Sequence, residues 1–151
     1  MSQIIDGKAV SAKVREGLKG KAAELTAKGV KPGLAVVLAG DDPASAVYVR
    51  NKEKAANELG FYSKMIKLPS DVSEEELLNI VRELNNDDAI HGILVQLPLP
   101  KGLDEKKVIA EISPEKDVDA FHVQNVGKIM LGEYDFLPCT PTGVMELLKE
   151  Y

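Results

Sequence analysis

Residues 34–52 read LAVVLAGDDPASAVYVRNK and carry the clearest signal of the fold class. Its first six residues form an unbroken apolar run, which is typical of a strand buried on both faces. A turn follows, in which Asp42 is a candidate N-cap and Pro43 is the expected first residue of a helix. A buried strand that leads through a short turn into a helix indicates an α/β fold.

The same alternation of helix and strand extends in both directions along the chain. Residues 6–28 carry apolar side chains at helical spacing. Further strands are predicted at residues 62–68 and 92–97, and Ser73 with Glu76 predicts a capping box for the helix between them. Strands joined through helices imply right-handed crossovers. We therefore expect a three-layer α/β domain with a mostly parallel sheet flanked by helices.

Length and composition narrow the class of protein further. The 151 residues suit one domain, and the net charge of −5 argues against general nucleic-acid binding. The single cysteine, Cys139, excludes an internal disulfide and fits a reducing compartment. The first residues do not read as a secretory signal, and no apolar run is long enough to span a bilayer. We expect a cytoplasmic protein without a nucleic-acid or membrane partner.

Tyr48 and Lys52 are the first candidates for chemistry. Residues four apart share one face of a helix, and this face begins near the carboxyl edge of the first strand, where open α/β sheets place their ligands. A phenol and an amine held there could act as an acid–base pair, although a lysine used in this way needs its pKa lowered towards neutrality. The alternative is a tyrosine at the edge of the core and a solvated lysine.

Polar residues after the third strand are the next candidates. Gln96 ends an apolar run, so its amide needs a partner, which could be Lys52, a ligand or a neighbouring loop. The prolines that follow it are expected to form a rigid rim. In Asp117-Val118-Asp119 one carboxylate is expected to cap a turn or face solvent while the other enters a cleft, where it could bind paired N–H donors of a ligand.

Other potential sites are not supported by the pattern. His91 and His122 lack metal-ligand spacing and are interpreted as structural or solvent-facing. Cys139 is expected to be a buried or loop thiol, since no base is paired with it in the sequence. There is no Gly-x-Gly-x-x-Gly run and no Gly-x-x-x-x-Gly-Lys-Ser/Thr run. The sequence therefore predicts neither a metal site nor a nucleotide cradle in this chain.

Five motifs occur in order along essentially the whole chain, namely PGLAVVLAGDDPAS (32–45), YVRNK (48–52), GILVQLPLP (92–100), PEKDVD (114–119) and PCTPTG (138–143). Together they resemble the bifunctional methylenetetrahydrofolate dehydrogenase/methenyltetrahydrofolate cyclohydrolase (FolD) family. Two departures are tolerable, since neither removes a reacting group: Ala46 stands where many relatives have a longer polar residue, and Ala120 follows Asp119 where glycine is usual.

The resemblance implies a role for each candidate residue. Lys52 corresponds to the catalytic lysine, Tyr48 to its partner near the reacting carbon, and Gln96 to the residue that bonds and tunes the lysine. Asp119 corresponds to the anchor for the amino edge of the pterin. Three further residues correspond to the lining of the same cleft, namely Ser45, Leu97 and Pro98.

The resemblance also implies a reaction and a domain organisation. Members oxidise 5,10-methylenetetrahydrofolate with NADP and hydrolyse the methenyl product to 10-formyltetrahydrofolate, in one-carbon metabolism. Residues 1–139 correspond to the folate-binding catalytic domain. Residues 140–151 correspond to the start of a helix that leads to an NADP-binding Rossmann domain, which is absent here and through which the parent protein is expected to form a homodimer. A helical pattern that reaches Tyr151 without a glycine cap agrees with this expectation.

Two other classes of protein share part of the pattern. Short-chain dehydrogenases also use Tyr-x-x-x-Lys, but they carry a glycine-rich nucleotide loop before the tyrosine, and this chain has none there. A non-catalytic folate or small-ligand binding module would keep the cleft without turnover. Replacing Lys52 separates this module from an enzyme.

Overall fold

Residues 4–151 are described by the computed structural model, and they form three parallel strands and six helices. None of these helices combines the length and the apolar character that a membrane span requires. The elements in chain order are α1 (Gly7–Ala27), β1 (Gly33–Ala39), α2 (Pro43–Glu58), β2 (Tyr62–Leu68), α3 (Glu74–Asn85), β3 (Gly92–Val95), α4 (Glu105–Glu111), α5 (Val123–Leu131) and α6 (Cys139–Glu150).

The central strand, β1, pairs in parallel with β2 on one side and with β3 on the other. Side chains that alternate along β1 enter two separate apolar clusters. Ala35 and Val37 pack in the cluster that contains residues of α3 and α4, whereas Val36 and Leu38 pack with Val49 of α2. Helices therefore cover both faces of the sheet, and the predicted three-layer α/β fold is confirmed.

The helix starts follow the predicted capping residues. The Asp42 carboxylate accepts a 2.7 Å hydrogen bond from the Ser45 amide, and Pro43 is the first residue of α2. Hydrogen bonds from the backbone and hydroxyl of Ser45 hold the pKa of the Asp42 carboxyl below its usual value. The Ser73 hydroxyl accepts from the Glu76 amide at 3.2 Å. These caps fix where α2 and α3 leave the sheet edge.

The sequence-based boundaries need three corrections. Strand β3 ends at Val95, so Gln96 and Leu97 lie beyond it, although the Gln96 amide still donates to the carbonyl of Val37 at 2.9 Å. The ladder cannot continue through Pro98, because proline has no N–H to donate. The peptide bond between Leu97 and Pro98 is cis. Helix α6 begins one residue before the predicted start, and helices α4 and α5 were not predicted from the sequence.

One buried hydroxyl gives a prediction about stability. The Ser63 hydroxyl of β2 is buried and has no hydrogen-bond partner among the described residues. Because an unpaired buried polar group is unfavourable by about 1–3 kcal/mol, Ser63→Ala is expected to leave the free energy of unfolding unchanged or raise it by about 1 kcal/mol. Urea denaturation measures the change. The matched variant Ser73→Ala loses a helix cap and is expected to lower the same quantity by about 1 kcal/mol; a loss of that size in Ser63→Ala would contradict the prediction.

Candidate active site

The sheet edge brings together Lys52 and Gln96, which lie 44 residues apart in the sequence. The Lys52 Nζ atom, on the second half of α2, donates a 3.0 Å hydrogen bond to the Gln96 side-chain oxygen. Both side chains are partly buried. The predicted contact between an amine and an amide at the carboxyl edge of the sheet is therefore present.

Gln96 is itself held in a fixed orientation. Its side-chain nitrogen donates to the Leu97 carbonyl at 2.7 Å, which directs the amide oxygen towards Lys52. The Glu105 carboxylate accepts from the Leu99 amide at 3.0 Å and so ties the rim after β3 to the start of α4. The rim is thus anchored at both ends, and Gln96 can hold the lysine amine at one position.

Tyr48 and Ser45 lie on α2 before Lys52, in different environments. Tyr48 is 64% exposed and sits one turn before Lys52, so its phenol borders the site without being buried in it. Ser45 is buried and lies beside Asp42 in the first turn of the helix. The structure therefore leaves Tyr48 open to a ligand and gives Ser45 a capping contact.

The carboxylate of Asp119, in the turn before α5, lies close enough to Lys52 for the two charges to interact. Burial raises the pKa of this carboxyl. The Lys52 charge and the neighbouring Cys139 thiol oppose that rise, and the Asp117 charge adds to it. Asp119 and Leu97 also line one small cavity with Phe121. Lys52, Asp119 and the rim thus belong to one cluster.

The position of Cys139 differs from the predicted buried or loop thiol. It begins α6, and the residue as a whole is exposed although its thiol is partly covered. Its thiol donates to the Val118 carbonyl at 3.7 Å. Partial burial of the thiol and the neighbouring Asp119 charge raise the pKa of Cys139, which disfavours the thiolate. Cys139 is therefore a neutral neighbour of Asp119.

The two carboxylates of the Asp117-Val118-Asp119 segment have separate roles. Asp117 is 2% exposed and accepts hydrogen bonds from the amide of His122 at 2.8 Å and the side chain of Asn125 at 2.9 Å. It closes the turn before α5, whereas Asp119 remains near Lys52.

Ala120 adopts a φ of 55°, a left-handed conformation that costs alanine about 1–2 kcal/mol. Glycine has no such cost, which gives a physical meaning to the departure at this position.

Neither histidine joins the site. The side chain of His91 accepts from the Gly33 amide at 3.1 Å, and that of His122 accepts from the Gln124 amide at 3.1 Å. Within residues 4–151 there is no cluster of three or more side chains able to hold a metal ion. Both imidazoles thus serve backbone contacts.

The Asp119 carboxyl predicts a dependence of stability on pH. Because its folded-state pKa lies above the ordinary value of 3.8, this group favours the folded state most in acid. That contribution is complete below the ordinary value and is lost as the pH rises through the raised folded-state pKa. Asp119→Asn is therefore expected to be more stable than the parent chain at pH 7, with the difference shrinking as the pH falls towards 3.8. Denaturation curves of both proteins, recorded at steps of about one pH unit between roughly pH 3 and pH 7, measure the difference in the free energy of unfolding. A difference that grows as the pH falls would contradict the prediction.

The fold and site together define a class of protein. It is an α/β domain whose sheet edge pairs an amine with an amide beside a partly buried carboxylate, which suits acid–base chemistry on a small ligand. Residues 5–119 match the model of the catalytic domain of tetrahydrofolate dehydrogenase/cyclohydrolase, and the chain belongs to that family. The family resemblance predicted from the sequence is confirmed, and the short-chain dehydrogenase alternative is not favoured.

Similar proteins match almost the whole chain. A bifunctional protein FolD from Ruminiclostridium cellulolyticum is 55% identical over 149 residues, which are 99% of this chain and 52% of that protein. The crystal structure of the FolD methylenetetrahydrofolate dehydrogenase/cyclohydrolase from Campylobacter jejuni has a TM-score of 0.96 at 49% identity, over 99% of this chain and 53% of that one. The Trypanosoma brucei enzyme, solved with NADP cofactor and an inhibitor, has a TM-score of 0.93 at 39% identity, over 98% of this chain and 51% of that one. The chain spans about half the length of the relatives it matches.

Two residues near the site were not predicted from the sequence. Asn125 is 3% exposed and bonds Asp117, and Glu105 holds the backbone of the rim. An asparagine three residues into a short helix and a glutamate in an N-terminal turn are common surface residues, so neither stands out in a single sequence. Only their partners show what they do.

Proposed function

We propose that this chain supplies the folate site and the catalytic lysine of an NADP-dependent methylenetetrahydrofolate dehydrogenase and methenyltetrahydrofolate cyclohydrolase. The observation that carries the proposal is the 3.0 Å hydrogen bond between Lys52 and Gln96 at the sheet edge of a domain of this family. The relatives named as bifunctional support the same pair of activities.

In the hydrolysis step Lys52 is the proton carrier. Water adds to the cationic methenyl carbon between N5 and N10, and Lys52, acting as the neutral amine, accepts the first proton that the water loses. The bond from this carbon to N5 then breaks as the lysine returns that proton to N5. The remaining hydroxyl proton is released to solvent, and the formyl group so formed stays on N10. Positioned proton transfer of this kind contributes about 10²–10⁴-fold to a rate. Gln96 acts by holding the lysine nitrogen at the reacting carbon.

Substrate binding is assigned to the residues around this pair. The Asp119 carboxylate anchors the amino edge of the pterin, because two adjacent N–H donors suit a carboxylate in a bidentate contact. Tyr48, which is exposed beside Lys52, stacks on or contacts the folate near the reacting carbon. Ser45, Leu97 and Pro98 complete the lining of the cleft. The raised pKa of Asp119 is expected to return towards its ordinary value when the donors bind.

NADP and the dimer belong to the longer parent protein in this proposal. The 151 residues contain no glycine-rich phosphate cradle, so no residue of this chain is assigned to NADP, which accepts the hydride when bound. Residues 1–139 form the folate-binding domain and residues 140–151 start the helix towards a Rossmann domain that mediates a homodimer. A cytoplasmic location and a supply of formyl groups for purine biosynthesis complete the proposal, supported by the single cysteine and by the reaction product.

The experiment that tests the proposal uses the 151-residue chain alone. The loss of methenyltetrahydrofolate absorbance measures cyclohydrolase turnover, and calorimetry with 5-formyltetrahydrofolate measures binding. Turnover above the uncatalysed rate would support the enzyme, whereas binding without turnover in this chain and in a parent-length protein would favour the binding module. Neither binding nor turnover in either protein would contradict the proposal. The chain alone is expected to show no NADP-dependent oxidation of methylenetetrahydrofolate.

A further inference from the structure

The loop that carries Asp119 is held in place by a buried hydrogen-bonded cluster of Asp117, His122 and Asn125. Asp117 is 2% exposed, and the same carboxylate oxygen accepts from the His122 amide at 2.8 Å and from the side-chain nitrogen of Asn125 at 2.9 Å. The Ala120 amide donates to the Asp117 carbonyl at 3.2 Å. Asp117 therefore accepts hydrogen bonds from residues beyond Asp119, through its carbonyl and its carboxylate, and these bonds stabilise the turn that contains Asp119.

Asn125 also connects this cluster to the start of the 114–119 segment. It is 3% exposed in α5, and its side-chain nitrogen also donates to the Pro114 carbonyl at 2.9 Å. The adjoining backbone is attached to the sheet, since the Ile93 amide donates to the Lys116 carbonyl at 2.7 Å. One amide group thus links the start of the segment, at Pro114, with the carboxylate at its centre.

The backbone next to Asp119 would not hold its conformation unaided. Ala120 has a φ of 55° and is 1% exposed. A left-handed alanine persists only where the surroundings determine it. Ala120 lies between two residues that are joined by a hydrogen bond, since the Asp117 carboxylate accepts from the amide of His122. Loss of the contact with Asn125 removes one of the two hydrogen bonds that hold this carboxylate in place.

We propose that Asn125 is a positioning residue for folate binding: through the buried Asp117 carboxylate it holds the 117–122 turn so that Asp119 faces the site beside Lys52. This inference rests on the proposed function. Asn125 does not touch the substrate in this arrangement. Its role is to fix the direction of the Asp119 carboxylate, which a bidentate contact requires to be accurate.

Binding of 5-formyltetrahydrofolate to the 151-residue chain tests the proposal. Asn125→Ala is expected to weaken binding by about tenfold or more, since hydrogen bonds to charged groups are the stronger ones. The matched control is Asn85→Ala, which removes a partly buried asparagine that bonds the Glu111 carbonyl at 2.7 Å and the Ser113 amide at 2.9 Å without contacting Asp117. The control is expected to bind within about twofold of the parent chain. Asn125→Ser keeps a short donor and replaces the alanine variant if that variant does not fold.

A double-mutant cycle separates positioning from a general loss of structure. If Asn125 acts through Asp119, adding Asn125→Ala to Asp119→Asn costs little further affinity, because the carboxylate it positions is already gone. Equal losses in the presence and absence of the Asp119 carboxylate would overturn the inference, as would unchanged binding in Asn125→Ala.

Carbon-13 NMR of the carboxyl groups gives a readout that needs no ligand. Asn125→Ala is expected to move the Asp119 carboxyl resonance and its titration midpoint, whereas Asn85→Ala leaves both in place. A parent chain that binds no folate would count against the proposed function, and with it against a role for Asn125 in binding. An Asp119 resonance that is unchanged in Asn125→Ala would overturn the inference while leaving the proposed function intact.

Discussion

Lys52→Met is expected to lower cyclohydrolase turnover by about 10²–10⁴-fold, because in the proposed mechanism it removes the group that takes and returns the proton. Methionine keeps most of the length of the side chain and its apolar contacts, so the affinity for folate is expected to change little. Gln96 loses its 3.0 Å partner, and its amide oxygen then faces the cleft, where solvent can replace the ammonium. Absorbance kinetics with methenyltetrahydrofolate and calorimetry with 5-formyltetrahydrofolate measure the two quantities separately.

Lys54→Met is the matched control on the same helix. Lys54 is an exposed lysine two residues further along α2, where it pairs with Glu58 at 3.8 Å and faces away from Gln96. The same change of charge there is expected to leave turnover within about twofold, since exposed ion pairs contribute little. If Lys52→Met changed only the affinity, or if Lys54→Met lost as much turnover, the assignment of the proton carrier to Lys52 would be wrong.

Gly33→Ala is expected to lower the free energy of unfolding by about 3 kcal/mol or more. A Cβ atom at this position would lie 1.8 Å from the Ala89 carbonyl oxygen and 2.9 Å from its carbon, and both are backbone atoms. The Ala89 turn cannot move away freely. It leads directly into Ile90, which is 1% exposed in the core, and into His91, which hydrogen-bonds to Gly33 through both its amide and its imidazole.

Gly20→Ala makes the same chemical change without the clash. Gly20 lies inside α1, is exposed, and would place no Cβ within 4 Å of another group. Alanine is favoured over glycine within helices, so a gain of about 0.5–1 kcal/mol is expected. Urea denaturation of both variants measures the contrast. A loss below about 1 kcal/mol in Gly33→Ala would show that the Ala89 turn yields, and that this close approach of β1 is not a constraint on the fold.

Most of the framework follows from short-range signals in the sequence. The apolar run in β1 predicts a doubly buried strand, and the strand has helices on both faces. Asp42 and Ser73 predict helix starts, and both side chains accept the expected amide. These signals are reliable because a cap or a buried strand is decided by a few neighbouring residues. The end of β3 was placed two residues too late, because an apolar pattern does not show where the ladder stops.

The candidate site was predicted in part. The spacing of Tyr48 and Lys52 places them on one helical face, and the motif order identified Gln96 and Asp119. The contact between Lys52 and Gln96 is present, whereas the assigned roles of the site residues stay predictions. Cys139 was expected in a loop or in the core, but it begins α6 beside Asp119, and only the packing of α6 decides that.

The class of fold, the starts of α2 and α3 and the family all follow from the amino-acid sequence. Each of these depends on local patterns or on the order of motifs. The motif order identified Asp119 as the ligand-binding carboxylate, but what each carboxylate of the Asp117-Val118-Asp119 segment contacts is visible only in the folded chain. Asp117 accepts from Asn125 on the next helix and from the His122 amide, whereas Asp119 lies within reach of the Lys52 charge. A carboxylate takes its role from the donors and charges that surround it in space, and the spacing of residues along the chain does not specify those neighbours.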